Sequence, residues 1–364
     1  MPPTPKKILI ACGGTGGHLF PGIAVAESLL AQGHQPLLLI SQKKIDAQAA
    51  SKYPHLEFQT VSAIAKPPTL SPKMLPFLWA LHQSISTSKK ILRAFQADAV
   101  LGMGGFTSLP PVFAGHRLKL KTFIHDSNAR PGRANILAAR FCNQVLIGLE
   151  PAAAYFKNKP TLTTGTPARP EILTLPSRAE AAARFSLDPG KTTLLVTGGS
   201  QGSLRLNQLI AHAATYLPAE IQILHIAGPG DYDRIKEEHP TQRHGYELIG
   251  FCDQMASAYA LADLVIARSG ASTLTEISLA RLPSILVPYP YAADDHQTAN
   301  AKVFATAGAA QLIQEKDLTP EALAKILSSL LTSPGALKQM AQAAHSLAIP
   351  DAAARVTKAI LAGL

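Results

Sequence analysis

The chain has 364 residues, 47% of them hydrophobic, which is enough for two buried cores. Its three cysteines, Cys12, Cys142 and Cys252, are far apart without metal-ligand spacing, which argues against a disulfide framework and a structural zinc site. The net charge is +10, and the surplus lies in residues 1–166, with 18 Lys and Arg against 6 Asp and Glu; residues 167–364 carry 16 against 18. This excess predicts an anionic partner, such as an acidic membrane face or a polyanionic substrate. Without aromatic–basic interleaving or a helix-turn-helix pattern, nucleic acid is not the predicted partner.

Apolar runs alternate with amphipathic helical stretches along the chain, which predicts an α/β fold with parallel sheets covered on both faces. No run of about 18 uncharged apolar residues occurs, so no membrane-spanning segment is predicted. The short apolar run after Lys6 and Lys7 is interpreted as a first strand rather than a signal peptide. The predicted strands are residues 7–11, 36–40, 99–103, 122–125 and 144–147 in the first half, and 193–197, 222–226, 247–249, 264–267 and 284–287 in the second.

A Pro- and Thr-rich stretch at residues 160–176 predicts a boundary between two domains. We therefore expect domains at residues 1–166 and 167–349, with a last helix at about 350–364 that returns to the first domain. Other helices are predicted between the first two strands, where Ile23, Ala26 and Leu30 share a face that closes at Gly33, and at residues 204–215 and 273–280.

Two glycine turns of one design, residues 13–18 and 198–203, each follow a predicted strand and precede a helix. Glycines let backbone N–H groups approach a phosphate, and the helix dipole favours its charge. The pair predicts two Rossmann-like halves that face each other across a cleft. A third turn at residues 104–110 is either a tight βα turn or a second phosphate contact in the basic half, which together with the first turn would suit a pyrophosphate. The residues predicted for that pyrophosphate are Gly14, Gly104, Gly105 and Ser108.

Three further groups of polar residues have both a structural and a chemical interpretation. His18 either caps or packs at the end of the first turn, or it acts as a general base with a pKa near working pH. Glu276 is either a favourable charge near a helix N-terminus or a carboxylate that binds two ribose hydroxyls. The polar run 294–301 is either a solvated loop or a set of sugar-reading side chains; its paired aspartates lack a third ligand, so no metal is predicted.

Together these segments resemble the MurG-type family of glycosyltransferases, the peptidoglycan N-acetylglucosaminyltransferases that make lipid II from lipid I. The resemblance covers essentially the whole chain and implies a GT-B architecture, in which the second Rossmann-like domain binds UDP-N-acetylglucosamine (UDP-GlcNAc). The matching segments, in the family's order and approximate spacing, are residues 13–18, 104–110, 165–169, 198–202, 251–255, 268–276 and 296–301.

The resemblance also implies roles for individual residues on these segments. For the nucleotide they are Ser200 and Gln201 at the diphosphate or its surroundings, Arg169 on the nucleotide side, and the Cys252 backbone at the uracil edge. Ala271, Ser272 and Thr273 hold a phosphate, Leu274 and Thr275 belong to the same substrate-binding segment, and Glu276 takes the ribose. His296 and Gln297 contact the sugar hydroxyls. From the acceptor domain, Thr15, Gly16, Gly17 and Asn128 approach the sugar, and His18 is the expected base.

The chain departs from the family pattern at four places. His-Asp-Ser-Asn at residues 125–128 replaces the more usual His-Glu-Gln-Asn. Cys252 stands where a larger aliphatic residue is common, His296 stands where some members have glutamine, and Ser272 replaces a frequent leucine. None of these changes removes an essential group.

The implied activity is inverting transfer of N-acetylglucosamine from UDP-GlcNAc to the C4 hydroxyl of the MurNAc unit in undecaprenyl-pyrophosphoryl-MurNAc-pentapeptide. No cofactor and no essential metal are expected. The alternatives are a UDP-GlcNAc 2-epimerase, a GT-B transferase for another glycolipid, and a non-catalytic UDP-sugar sensor.

The basic first half also contains a segment that suits a membrane surface. Residues 66–79 mix lysines with apolar residues that include the only tryptophan, Trp79, and Lys89, Lys90 and Arg93 follow. This segment is either a core helix with a basic outer face or a peripheral docking site on an anionic leaflet. The polyprenyl-linked acceptor favours docking at the cytoplasmic face of the plasma membrane, where cell-wall synthesis proteins are further candidate partners.

Overall fold

The computed structural model describes residues 4–43, 46–47, 50–61, 74–238 and 243–364. The chain divides into two compact units, one of Met1–Arg169 with Ile349–Leu364 and the other of Pro170–Ala348. Each unit is built on one parallel sheet with helices on both faces. This confirms the predicted α/β class and its two Rossmann-like halves.

The sheet of the first unit has seven strands in the order β3-β2-β1-β4-β5-β6-β7. At its centre Leu9 lies opposite Leu37 on one side and Val100 on the other. Strands buried on both faces need side chains that are apolar throughout, which is why β1 reads as a continuous hydrophobic run. The strands are β1 Lys7–Ala11, β2 Gln35–Ser41, β3 Glu57–Val61, β4 Ala99–Gly102, β5 Lys121–Asp126, β6 Gln144–Ile147 and β7 Thr161–Thr163.

Helices cover both faces of this sheet. Val356 and Ile360 of the C-terminal helix, Ala352–Ala362, pack with the helix Gly16–Ala31 over one face, and Thr357 Oγ1 donates to Ser28 Oγ at 3.0 Å. Leu92 and Val112 belong to the core on the other face. The other helices with described bounds in this unit are α1 Gly16–Ala31, α2 Met74–Phe95, α3 Gly105–Arg117 and α4 Arg133–Ala138, with 3-10 turns at Ala139–Phe141 and Glu150–Tyr155.

The second unit has a six-stranded parallel sheet in the order β10-β9-β8-β11-β12-β13. Its strands are β8 Thr193–Thr197, β9 Gln222–Ile226, β10 Tyr246–Ile249, β11 Leu264–Ala267, β12 Ser284–Leu286 and β13 Ala310–Leu312. Its helices are α5 Pro170–Leu173, α6 Arg178–Arg184, α7 Leu204–Ala213, α8 Tyr232–Glu238, α9 Met255–Leu261, α10 Ala271–Leu279, α11 His296–Thr306, α12 Pro320–Leu331 and α13 Pro334–Ser346.

Several predicted boundaries need correction. Leu30 is 37% exposed and the buried residue of that turn is Leu29, because the face that meets the sheet runs through Ile23 and Ala26. Helix α7 ends at Ala213, where a 3-10 turn begins. Helix α10 begins two residues earlier than predicted and ends at Leu279, and the last helix ends at Ala362. Strands β3, β7 and β13 were not predicted.

Candidate active site

In both units the predicted binding segments follow the carboxyl ends of neighbouring strands. Strands β1, β4 and β5 are adjacent in the first sheet, and they lead into residues 13–18, 104–108 and 126–128. Strands β8, β11 and β12 are adjacent in the second sheet, and they lead into the donor segments. Ligands of open α/β sheets bind at this edge. Each sheet therefore gathers three predicted segments that are distant in sequence.

The ring of His18 packs against the turn formed by Gly104 and Gly105. A Cβ on Gly104 would lie 2.8 Å from both Cδ2 and Nε2 of His18, and one on Gly105 would lie 3.3 Å from Cε1. Both glycines have positive φ, +117° and +71°. The ring Nδ1 also lies 3.2 Å from Thr15 Oγ1. The backbone conformation therefore favours glycine at both positions, and at position 104 a side chain would also clash with the imidazole.

The imidazole of His18 is neutral at physiological pH. Part of the His18 side chain is exposed, but the surrounding protein atoms exclude water from the ring. This desolvation lowers the pKa of His18 to about 4, and the nearby Asp46 carboxyl group opposes the shift. When Nδ1–H donates to Thr15, the lone pair lies on Nε2, the nitrogen that faces Gly104. A neutral imidazole has one unprotonated ring nitrogen, which is the form that a general base requires.

Asp46 was not singled out from the sequence, yet it organises the first glycine turn. It is fully buried, and its Oδ2 accepts hydrogen bonds from Gly14 N at 2.7 Å, Ser41 N at 3.0 Å and Ser41 Oγ at 2.5 Å. The N–H of Gly14, predicted for the pyrophosphate, therefore already has an acceptor within the fold. Strand order gives the missing signal, because Asp46 follows β2, the neighbour of β1.

Ser108, also predicted for the pyrophosphate, is fully buried. Its hydroxyl lies 3.0 Å from Ala11 O and 2.6 Å from Gly104 O, and it accepts from Gly104 N at 3.0 Å. Thr107 Oγ1 donates to Gly13 O at 2.8 Å. These hydrogen bonds join the turn after β4 to the end of β1. The side chain of Ser108 therefore has a structural role.

In the second unit, Arg268 ties the glycine turn to two other segments. Its guanidinium donates to Ser203 Oγ at 3.0 and 2.6 Å and to the carbonyls of Val287 and Pro288 at 3.1 and 3.0 Å, and it pairs with Glu315. The sequence places Arg268 at the start of the segment 268–276 and does not indicate this structural role. Within the turn it anchors, Ser200 and Gln201 are exposed.

Helix α10 presents an N-terminus without a side-chain cap. Gly270 occupies the N-cap position and provides no capping hydrogen bond, and the next residues, Ala271, Ser272 and Thr273, are partly exposed. Such N–H groups and the helix dipole favour a phosphate. The side chain of Leu274 is buried in the core, and Thr275 Oγ1 donates to Ala271 O at 2.9 Å. The side chains of Leu274 and Thr275 therefore stabilise the helix and its packing.

The entry to α11 orients His296 and Gln297. Asp294 and Asp295 both have φ of 53°, an uncommon conformation for two successive non-glycine residues. His296 Nδ1 donates to Ala293 O at 2.8 Å, so in the neutral ring Nε2 is the acceptor. Gln297 Oε1 accepts from Tyr289 N at 2.9 Å, which leaves its amide nitrogen as a donor for a ligand.

Comparison with known proteins identifies the family. Residues 8–147 match the glycosyltransferase family 28 N-terminal domain, and residues 193–356 match its C-terminal domain. The chain is 37% identical to the UDP-N-acetylglucosamine--N-acetylmuramyl-(pentapeptide) pyrophosphoryl-undecaprenol N-acetylglucosamine transferase of Gloeothece citriformis, over 98% of this chain and 96% of that one. The enzyme of the same name from Geobacter sulfurreducens is 38% identical, over 98% of both chains. The chain belongs to this transferase family.

A solved member of this family shares the fold. The crystal structure of Acinetobacter baumannii MurG superimposes with a TM-score of 0.79 at 27% identity, covering 98% of this chain and all of that one. The two Rossmann-like units are those of a GT-B fold. The predicted fold class and the predicted family are both confirmed.

One departure from the family pattern is explained by the structure. Asp126, where the pattern has glutamate, accepts from Asn135 Nδ2 at 2.8 Å, Asn128 N at 2.9 Å and Gly132 N at 3.1 Å. Burial raises the pKa of Asp126, and these hydrogen bonds oppose the rise. The shorter side chain thus still anchors the loop that carries Asn128. Beside it, His125 Nε2 donates to Gly165 O at 2.9 Å, and burial lowers the pKa of His125 to about 4.

Two further predicted residues, Cys252 and Arg169, belong to different units. Cys252 is partly buried against the core of the second unit, and the guanidinium of Arg169 stands 5.1 Å from the ring centre of Phe20 in the first. Among the described residues, no group of three or more His, Cys, Asp or Glu side chains could hold a metal ion.

Helix α2 carries the exposed apolar part of the predicted docking segment. Leu75 and Trp79 are 77% and 65% exposed, whereas Phe77 is buried and lies edge-to-face with Phe106 at 6.3 Å. Trp79 and Lys90 are eleven residues apart, which places them on one side of the helix about 16 Å from each other. Residues 66–73 of the segment lie outside the described part of the chain. No helix among the described residues is long and apolar enough to cross a membrane.

Proposed function

We propose that this chain is an inverting glycosyltransferase that moves N-acetylglucosamine from UDP-GlcNAc to the MurNAc C4 hydroxyl of lipid I, forming lipid II. The observation that carries the proposal is the identity of 37% and 38% to transferases of that name over 98% of the chain. The uncapped helix N-terminus of one unit and the neutral histidine of the other fit the two halves of this chemistry.

The second unit is proposed to hold most of the donor. The N-terminus of α10, from Ala271 to Thr273, and the turn with Ser200 and Gln201 contact the diphosphate, while Glu276 accepts from the ribose hydroxyls. The remaining proposed contacts are the Cys252 backbone with uracil, Arg169 on the nucleotide side, and His296 and Gln297 with the sugar hydroxyls. Support comes from the exposure of Ser200 and Gln201, and from the internal hydrogen bonds of Gln297 Oε1 and His296 Nδ1, which leave the amide nitrogen and Nε2 as polar atoms for a ligand.

The first unit is proposed to hold the acceptor and the base. The neutral imidazole of His18 takes the proton of the C4 hydroxyl, whose oxygen attacks C1 of the sugar on the face opposite the leaving UDP. The C1–O bond to the diphosphate breaks, a β-1,4 bond forms, and N–H groups at the α10 N-terminus stabilise the departing anion. Thr15, Gly16, Gly17 and Asn128 approach the sugar, and the turn at Gly104 and Gly105 lies nearest the acceptor pyrophosphate.

The tip of α2 is proposed to dock on an anionic leaflet, which makes the protein a peripheral enzyme of the cytoplasmic membrane face. Leu75, Leu78 and Trp79 are exposed apolar side chains, and Lys90 and Arg93 are exposed further along the helix. Each basic residue close to such a surface adds about 1 kcal/mol to binding. The polyprenyl chain of the proposed acceptor lies in the membrane, so docking brings the enzyme to this substrate.

Transfer of radiolabel from UDP-GlcNAc to a short-chain lipid I analogue, with a chelator present, tests the proposed function. We expect label in the lipid fraction and release of UDP, because the chain itself supplies the groups that stabilise the leaving diphosphate. Appearance of UDP-N-acetylmannosamine without labelled lipid would indicate an epimerase. Donor binding with no turnover would indicate a sensor.

A further inference from the structure

Glu276, the residue proposed to bind the ribose, is held by a tyrosine that the sequence did not single out. Tyr259 lies on α9 and is 2% exposed, and its hydroxyl donates to Glu276 Oε2 at 2.9 Å. Glu276 itself is only partly buried on α10. A buried side chain therefore fixes one oxygen of a carboxylate that reaches the surface.

The Tyr259 ring alone does not explain why this position is tyrosine. The ring packs in an apolar cluster that includes Val265 and Ile277, where phenylalanine would fill the same space. The hydroxyl is the only polar atom of the side chain, and burying it would be unfavourable without a hydrogen-bond partner. It is directed at the carboxylate of Glu276.

A glutamate that accepts two vicinal hydroxyls must present its carboxylate in one orientation, although three rotatable bonds let it move. A hydrogen bond from a rigid buried ring removes part of that freedom before the ligand arrives, which favours binding. We propose that Tyr259 is a positioning residue for the donor, whose hydroxyl holds the Glu276 carboxylate in the orientation that accepts hydrogen bonds from ribose. This inference rests on the proposed role of Glu276.

The test compares Tyr259→Phe with wild type on two donors, UDP-GlcNAc and its analogue that lacks the 2′ and 3′ hydroxyls. With UDP-GlcNAc we expect the donor KM to rise about 5- to 10-fold and kcat to stay within about twofold, since the Glu276 carboxylate is no longer held in the orientation that binds ribose. With the dideoxy donor the variant and wild type should have equal KM. Tyr216→Phe is the matched control, because Tyr216 is exposed on the same unit and its hydroxyl donates to Glu321 at 3.2 Å.

Glu276→Gln, measured alongside, separates the two levels of the proposal. If it leaves the donor KM unchanged, the ribose role of Glu276 is wrong. If Glu276→Gln raises the donor KM but Tyr259→Phe does not, the positioning role of Tyr259 is wrong. The same holds if Tyr259→Phe raises the KM of both donors equally, which would indicate that the tyrosine only packs in the core.

A double variant provides a second readout. Tyr259→Phe added to Glu276→Ala should raise the donor KM no further than Glu276→Ala alone, because Tyr259 acts on the ribose only through the Glu276 carboxylate. Independent, multiplying effects on KM would contradict the inference. Thermal melting of each variant checks that both remain folded.

Discussion

At the scale of single residues, His18 lies in surroundings that act on its pKa in opposite directions. Burial lowers the pKa to about 4, while the Asp46 carboxyl group raises it less than burial lowers it. The imidazole is therefore neutral above about pH 4, and protonation below that pH removes the base. We expect the acid limb of kcat/KM, which reports the free enzyme, to lie near pH 4. A limb centred near pH 6.5, the ordinary value for histidine, would contradict this account.

The packing of His18 on the second glycine turn yields another prediction. Gly104→Ala adds a methyl group 2.8 Å from the ring and strains a residue with φ of +117°, so the imidazole must move. We expect kcat to fall about 10²-fold or more, towards the level of His18→Ala, with little change in the donor KM.

Gly335→Ala serves as the control, since a Cβ at that helical position meets nothing within 4 Å. Near-normal turnover of Gly104→Ala or of His18→Ala would exclude the proposed geometry of the base. A raised donor KM with unchanged kcat would place the effect on binding instead.

At the scale of elements, the exposed tip of α2 gives a test of membrane docking. Changing both Leu75 and Trp79 to serine should weaken binding to vesicles that contain anionic lipid, while activity on a short-chain soluble acceptor stays near wild type. Phe77 is excluded from the test because it is a core residue, 8% exposed. Tyr216→Ser, which changes an exposed aromatic residue of the other unit, is the control. If the double variant binds vesicles as well as wild type does, the proposed docking role of this surface is wrong.

The sequence predicts correctly those strands whose residues are almost all buried. Strands such as β1 and β8 are buried almost throughout, and their continuous apolar runs are visible in the sequence. Strand β3, with pattern Glu-Phe-Gln-Thr-Val, is mostly exposed, and β7 and β13 have three residues each, so neither length nor hydrophobicity marks them. Short edge strands depend on pairing with a neighbour, which local sequence does not encode.

In the candidate site too, residues in local sequence patterns are predictable and residues that act through distant contacts are not. Glycine turns and the polar segments after strands are local patterns, so His18, Glu276 and Gln297 could be singled out from the sequence. Asp46 and Tyr259 could not, because each acts through a contact with a residue many positions away, Gly14 in one case and Glu276 in the other. Only strand order and helix packing bring these pairs together.

At the scale of the whole molecule, buried histidines link stability to pH. Burial lowers the pKa of His225 to about 3, and its ring is engaged by Tyr246 Oη at 2.6 Å and by Asn207 Oδ1 at 3.0 Å. Below pH 6.5 the unfolded chain binds a proton at this residue and the folded chain does not, so stability falls as pH falls towards 3. His18 and His125, both with a pKa lowered to about 4, contribute in the same direction.

The variant His225→Gln isolates this effect from the carboxyl groups. The difference in unfolding free energy between wild type and variant should change by up to about 1.4 kcal/mol per pH unit between about pH 6 and pH 4, with wild type losing more stability on acidification. Denaturant unfolding of the two proteins at several pH values measures it. A difference that is constant over this range would contradict the neutral, buried state of His225.

The central claim is tested most directly by the bond that the enzyme makes. The lipid product formed from UDP-GlcNAc and a short-chain lipid I analogue is isolated, and NMR assigns the anomeric configuration of the new sugar and the hydroxyl that carries it. The account predicts a β linkage to C4 of MurNAc, as expected when the His18-activated hydroxyl displaces UDP from the opposite face. An α linkage, attachment at another hydroxyl, or formation of UDP-N-acetylmannosamine without any lipid product would contradict it.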